Sequence, residues 1–214
     1  MKRNDTVVHD HWRGVVFDMD GTLTVPVIDF AAMRLRLGIP TGDILHTLRE
    51  WPDARRLQAL EIIEEIEDEA LERLVFQAGC LELLDFIEAA GLPRAIVTRN
   101  TTRTVEQFVK RLGRRFDVVI TREFEPIKPA PDSVLYICKQ WRVAPERVLL
   151  VGDYRDDILC GRAAGTRTCL LKNAHNQDYA ELADYAVDSL GGVIEILRGA
   201  PAAADAGSIH TSER

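Results

Sequence analysis

The sequence predicts an α/β fold: a parallel sheet with helices on both faces, broken after its first strand by an all-helical insert. Three observations carry this reading. From residue 94 onward, short β-rich apolar runs alternate with helical patterns, as crossover connections in a parallel sheet require. An earlier apolar run, residues 14–19, is separated from them by a long stretch with helical periodicity alone. The 214 residues, 46% hydrophobic, suffice for one sizeable core with a small appendage.

Residues 14–19, "GVVFDM", read as a buried strand between glycines. "VIDFAAMRLRLG" is a helix closed by Gly38, and "TGDILHTLREW" a second with Thr41 as its cap. The segment from Pro52 to Gly79 is a longer helix, because Leu57, Leu60, Ile63, Ile66, Ala70, Leu71 and Leu74 recur at helical spacing. Its acidic run, "EIIEEIEDEALE", reads as a solvated face. "LELLDFIEAAG" is a helix ending at Gly91. Then follow strand "RAIVT", helix "TRTVEQFVKRLG", strand "FDVVIT", helix "PDSVLYICKQW", strand "RVLLVGD", helix "DDILCGRAAG" and strand "RTCLL". A short helix "DYAELA", an edge strand "YAVDS" and a last helix "LGGVIEILRG" complete the order. Residues 1–25 and 81–198 thus form the α/β core, 26–80 the helical insert, and 199–214 a small, polar tail expected to be disordered.

The formal charge of −7 argues against a nucleic-acid binder, which needs a basic excess. No run of about 18 apolar residues exists to span a membrane. Cys80, Cys138, Cys160 and Cys169 form no CxxC pair and sit in apolar contexts, so they read as buried reduced thiols in a cytoplasmic protein. Oligomeric state leaves no mark in the sequence.

The first strand runs straight into two acids, Asp18 and Asp20. Residues two apart on extended backbone point the same way, so both carboxylates face one space at the carboxyl end of the strand. That end of an open parallel sheet is where ligands bind. A second apolar run, Val148 to Val151, also breaks into acids: Asp153, Asp156 and Asp157. If the two strands are neighbours, the clustered charge costs several kcal/mol without a cation. Carboxylate-rich oxygen sites suit a hard divalent ion such as Mg²⁺. A third strand ends in Thr98, Arg99 and Asn100, which either cap a helix or form an anion-binding nest. Lys128 stands between Pro126 and Pro129, either solvated or aimed by their restricted backbone.

These residues resemble the haloacid dehalogenase-like superfamily of phosphohydrolases, on four ordered motifs: "DMDGT", "VTRN", "KPAPD" and "GDYRDD". The resemblance covers about Gly14 to Leu197 and implies a Rossmann-like core with a small helical cap of the phosphoglycolate-phosphatase-like branch. It further implies that Asp18 is the nucleophile, taking the phosphoryl group as an aspartyl-phosphate while sharing the Mg²⁺. Asp20 would be general acid and then base, with its backbone carbonyl on the metal. Thr98 and the backbone amides of Arg99 and Asn100 would hold phosphoryl oxygens, and Lys128 would neutralise their charge. Asp153 would bind Mg²⁺ directly, and Asp157 directly or through water. Asp156 takes a position that is often Asn in the family. Because Asp20 is present, carbon–halogen hydrolysis is disfavoured.

The expected activity is Mg²⁺-dependent hydrolysis of a small phosphorylated metabolite, such as phosphoglycolate, a sugar phosphate or a nucleotide-like ester. A phosphomutase of the same fold and a non-catalytic binding protein are the alternatives. Cap residues that could read substrate are Arg34, Arg36, His46, Arg49, Arg55 and Arg56, or these are solvated helix faces.

Overall fold

A computed structural model describes residues 8–199 of the chain. Six parallel strands form one sheet in the order β3-β2-β1-β4-β5-β6: β1 (Gly14–Phe17), β2 (Arg94–Val97), β3 (Val118–Ile120), β4 (Val148–Gly152), β5 (Arg167–Leu171) and β6 (Tyr185–Val187). The order reverses direction between β1 and β4, so the carboxyl ends of these central neighbours bound the crevice that doubly wound sheets use for ligands.

Side chains alternate across the sheet and meet helices on each side. Val15, Phe17, Ile96, Leu149 and Val151 pack on one face against α4 (Cys80–Ala89), α5 (Thr102–Leu112) and α8 (Leu190–Arg198). Val16, Ala95, Val97, Val148 and Leu150 pack on the other against α6 (Asp132–Trp141) and α7 (Arg155–Ala164). The "DYAELA" helix is a 3₁₀ segment, Gln177–Leu182, and "YAVDS" supplies the edge strand β6.

The insert supplies α1 (Phe30–Leu37), α2 (Ile44–Arg49) and α3 (Asp53–Glu72). Met33, Leu37, Ile39, Ile44, Leu48, Ala59 and Ile63 form an apolar cluster among them. Helix α3 is shared, since Leu71 joins the cluster under the sheet.

Three boundaries differ from the sequence reading. The first strand stops at Phe17, because the chain turns where the carboxylates begin. The cap of α2 is Asp43, not Thr41; its carboxylate accepts the His46 N–H. The long helix ends at Glu72 instead of running on to Gly79, because the chain turns back to bridge Phe76 against Thr24. The expected tail lies outside the described residues except for Gly199. The four cysteines are buried and unpaired, as expected, and burial raises each thiol's pKa.

Candidate active site

Strands β1 and β4 pair in parallel with Phe17 opposite Val151, so the acids that follow leave the sheet side by side. The Asp18 N–H still donates to the Val151 carbonyl at 2.9 Å. Carboxylate oxygens of Asp18, Asp153 and Asp157 all lie within 4.8 Å of one another. Two glycines permit this crowding. Gly21 has φ +80°, and a Cβ there would sit 2.2 Å from Asp153 Oδ2. A Cβ on Gly152 would sit 2.3 Å from the Asp157 Cβ.

Lys128 is buried against the same acids. Its Nζ lies 2.5 Å from Asp18 Oδ1 and 2.6 Å from Asp157 Oδ1. Asp157 also accepts the Tyr154 N–H on Oδ2 at 3.0 Å, so both its oxygens are engaged. Asp20 turns away from this cluster. Its Oδ2 accepts from Asn100 Nδ2 at 2.5 Å, and its Oδ1 lies 3.4 Å from the Thr24 hydroxyl.

Thr98 follows β2 and is buried, with its Oγ1 accepting from Asn100 N–H at 3.2 Å and from Asn100 Nδ2 at 3.0 Å. It does not cap α5; Thr101 does. The Arg99 side chain bridges elements at the rim. It donates to Asp43 Oδ2 at 2.7 Å and to the Lys128 carbonyl at 2.9 Å, and lies 3.4 Å from Asp156. That gives Asp156 a partner and ties the insert to the core.

The electrostatics follow from burial among like charges. Burial pushes Asp18 well above the usual carboxylate range; Lys128 opposes this, while Asp157, Asp153 and Asp20 add to it. Burial also raises Asp20, against the Asn100 hydrogen bond. Burial and Asp157 push Asp153 up to about 7. Burial disfavours charge on Lys128, but Asp157 and Asp18 outweigh it and raise its pKa, so the ammonium stays charged. Three acids close together around one cation carry excess negative charge. A hard, oxygen-seeking divalent ion fits that donor set.

Several neighbours of the site were not singled out from the sequence. Asn176 donates to the Asp153 carbonyl at 2.7 Å and to the Leu171 carbonyl at 2.9 Å, and Asn173 Nδ2 reaches Asp153 Oδ2 at 3.2 Å. A signal was available: "NAHN" follows a strand end on the site's side of the sheet. Glu67 corrects the reading of the acidic run as a solvated face. It is buried and pairs with Arg122 at 2.7 Å. The reason is helical geometry: Glu67 is four residues from Ile63 and from Leu71, on the inward side of α3.

The cations of the insert are mostly engaged elsewhere. Arg36 pairs with Glu65, Arg49 with Glu125 and Arg56 with Asp53; Arg55 stacks on Trp51, His46 faces Glu50, and Arg34 donates to the Gly42 carbonyl.

Residues 30–171 match the family model described as haloacid dehalogenase-like hydrolase. This chain belongs to that family. A haloacid dehalogenase-like hydrolase domain-containing protein of Arabidopsis thaliana is 39% identical over 204 residues, covering 86% of this chain and 83% of that protein. An N-acetylmuramic acid 6-phosphate phosphatase of Pseudomonas aeruginosa is 33% identical, covering 86% of this chain and 94% of that protein. The fold matches a crystal structure of a hydrolase from Pseudomonas syringae with a TM-score of 0.72 at 21% identity, covering 86% and 99% of the two chains. The protein is thus an enzyme, a haloacid dehalogenase-like hydrolase of the phosphoric monoester class. Among the described residues no helix is long and apolar enough to cross a membrane.

Proposed function

We propose that this hydrolase cleaves a small soluble phosphomonoester through an aspartyl-phosphate on Asp18, with Mg²⁺ as cofactor. The observation that carries the reading is the convergence of Asp18, Asp153 and Asp157 within 4.8 Å, with Lys128 at 2.5 Å from Asp18. A phosphoryl group approaching a carboxylate needs cations beside both, and Lys128 is one of them.

An Asp18 oxygen attacks phosphorus, forming an O–P bond as the ester P–O bond breaks. Asp20, whose pKa burial raises, passes a proton to the leaving oxygen. Asp20 then takes a proton from the water that attacks the aspartyl-phosphate, which releases inorganic phosphate and regenerates Asp18. Thr98 and the backbone N–H groups of Arg99 and Asn100 hold phosphoryl oxygens. Asn100 orients Asp20 through its 2.5 Å contact. Mg²⁺, held by Asp18, Asp153 and the Asp20 carbonyl, would supply a hard positive charge beside the phosphoryl oxygens. Asp157, with both oxygens engaged, reads as a ligand through water and as the anchor of Lys128.

Residues 26–80 act as a cap that excludes water and restricts the substrate to small metabolites. Buried reduced cysteines favour a cytoplasmic setting.

The test is phosphate release from p-nitrophenyl phosphate and a metabolite panel. Release in Mg²⁺ and its loss in EDTA are expected. Asp18→Asn is expected to lose at least about 10³-fold in kcat while unfolding at a similar temperature. Undiminished turnover in that variant removes the nucleophile assignment. An isomeric sugar phosphate in place of free phosphate would reassign the enzyme as a mutase.

A further inference from the structure

Glu67 is a buried acid that the chemistry above leaves unused. It is 6% exposed and projects from α3, an element of the insert, toward the core. One oxygen, Oε1, accepts from Arg122 at 2.7 Å. The other, Oε2, is buried with no hydrogen-bond partner among the described residues. An ionised oxygen left in that condition is costly, and native structures avoid it unless something else comes to fill the need.

What lies near it narrows the choice. Glu67 lines a cavity of about 10 Å³ together with Asp20, Thr24 and Asn100, and with apolar walls from Val27 and Leu71. That volume takes a single water-sized group, which is also the size of one hydroxyl. Asp20 is the group that protonates the leaving oxygen in the proposed reaction. Glu67 lines the same cavity as Asp20, from the insert's side. Resting on the phosphatase reading, we propose that Glu67 reads the leaving group: Oε2 accepts a hydrogen bond from a hydroxyl on the carbon next to the ester-bearing carbon. The substrate is therefore a polyol or sugar phosphate, not a phosphate ester bearing a carboxylate at that place.

Charge favours the same occupant. Burial pushes Glu67 up to about 7; Arg122 pulls it down, and Asp20 pushes it up further. Negative charge on Asp20 disfavours negative charge on Glu67. A third carboxylate between them would add to that repulsion, whereas a hydroxyl donor relieves it.

The experiment uses the full chain with Mg²⁺ and three substrates differing at one group: 2-hydroxyethyl phosphate, ethyl phosphate and 2-phosphoglycolate. In the unaltered enzyme kcat/KM for the hydroxyethyl ester is expected to exceed the other two by about 10- to 100-fold, the worth of one hydrogen bond to a charged group. Glu67→Gln keeps an acceptor and removes the charge. It should retain the preference over ethyl phosphate within about threefold, while discrimination against 2-phosphoglycolate falls at least about tenfold. Glu67→Met removes both and should bring the hydroxyethyl-to-ethyl ratio near one. Ratios are compared within each variant, so any loss of folded protein cancels. A ratio near one in the unaltered enzyme, or ratios unmoved by both substitutions, overturns the inference while phosphatase activity stands. No phosphate release from any ester, p-nitrophenyl phosphate included, overturns the phosphatase reading and this inference with it.

Discussion

Single atoms decide how closely the acids approach. Gly21 has positive φ, and its missing Cβ leaves the space that Asp153 Oδ2 fills. Gly21→Ala meets both backbone strain and a collision, so it should weaken Mg²⁺ binding at least about tenfold, read by titration calorimetry without substrate. Asn176 is expected to matter through the backbone it holds. It ties the Asp153 carbonyl to the Leu171 carbonyl across the ends of β4 and β5. Asn176→Ala should lower Mg²⁺ affinity by about 10- to 100-fold, as removal of an outer support does at metal sites. An unchanged affinity in both variants would mean that Asp153 is not a ligand.

At the scale of elements, the insert is held in two ways, and they differ in worth. Its interior is apolar, with Ile63 buried between α1, α2 and α3. Ile63→Ala should cost about 2–4 kcal/mol in urea unfolding, the usual penalty for a cavity of that size. Its rim is ionic. Arg49 reaches Glu125 at 2.8 Å, but both side chains are largely exposed, so Arg49→Ala should change stability by about 1 kcal/mol or less. The Glu67–Arg122 pair differs because it is buried on both sides, and removing either partner strands the other. The helices were readable in the sequence because apolar periodicity marks them. Two of their ends were not, since Asp43 outcompeted Thr41 as the cap of α2 and α3 stopped at Glu72 for tertiary reasons, whereas Gly38 closes α1 and Pro52 opens α3 as the sequence predicts.

Over the whole molecule, buried acids make stability depend on pH. Asp153 is raised from 3.8 to about 7 and Glu67 from 4.5 to about 7, and Asp18 and Asp20 are also raised. Each folded pKa lies above its unfolded value, so the folded state binds more protons across that window. Stability is then greatest below about pH 4 as far as these groups are concerned, and is lost as pH rises through about 7. In EDTA the melting temperature should fall between about pH 5 and about pH 8. Excess Mg²⁺ should restore it at the upper end by binding the ionised acids of the folded state alone. A melting temperature that ignores both pH and Mg²⁺ would count against a shared metal site.

The sequence by itself determined the α/β class, the strand order in the chain, and the four motifs with Asp18, Asp20, Thr98, Lys128, Asp153 and Asp157. Those features are local: strand ends, turn residues and helical or alternating spacing are written in neighbouring residues. Only the tertiary structure decided that β1 and β4 are neighbours, which brings acids 135 residues apart in the chain (Asp18 and Asp153) into one cluster. It also decided that Lys128 is buried between two of them, and that Glu67 turns inward instead of facing water. Those outcomes depend on which surfaces meet across the chain, and burial, not residue type, fixes whether a charge is solvated or must find a partner.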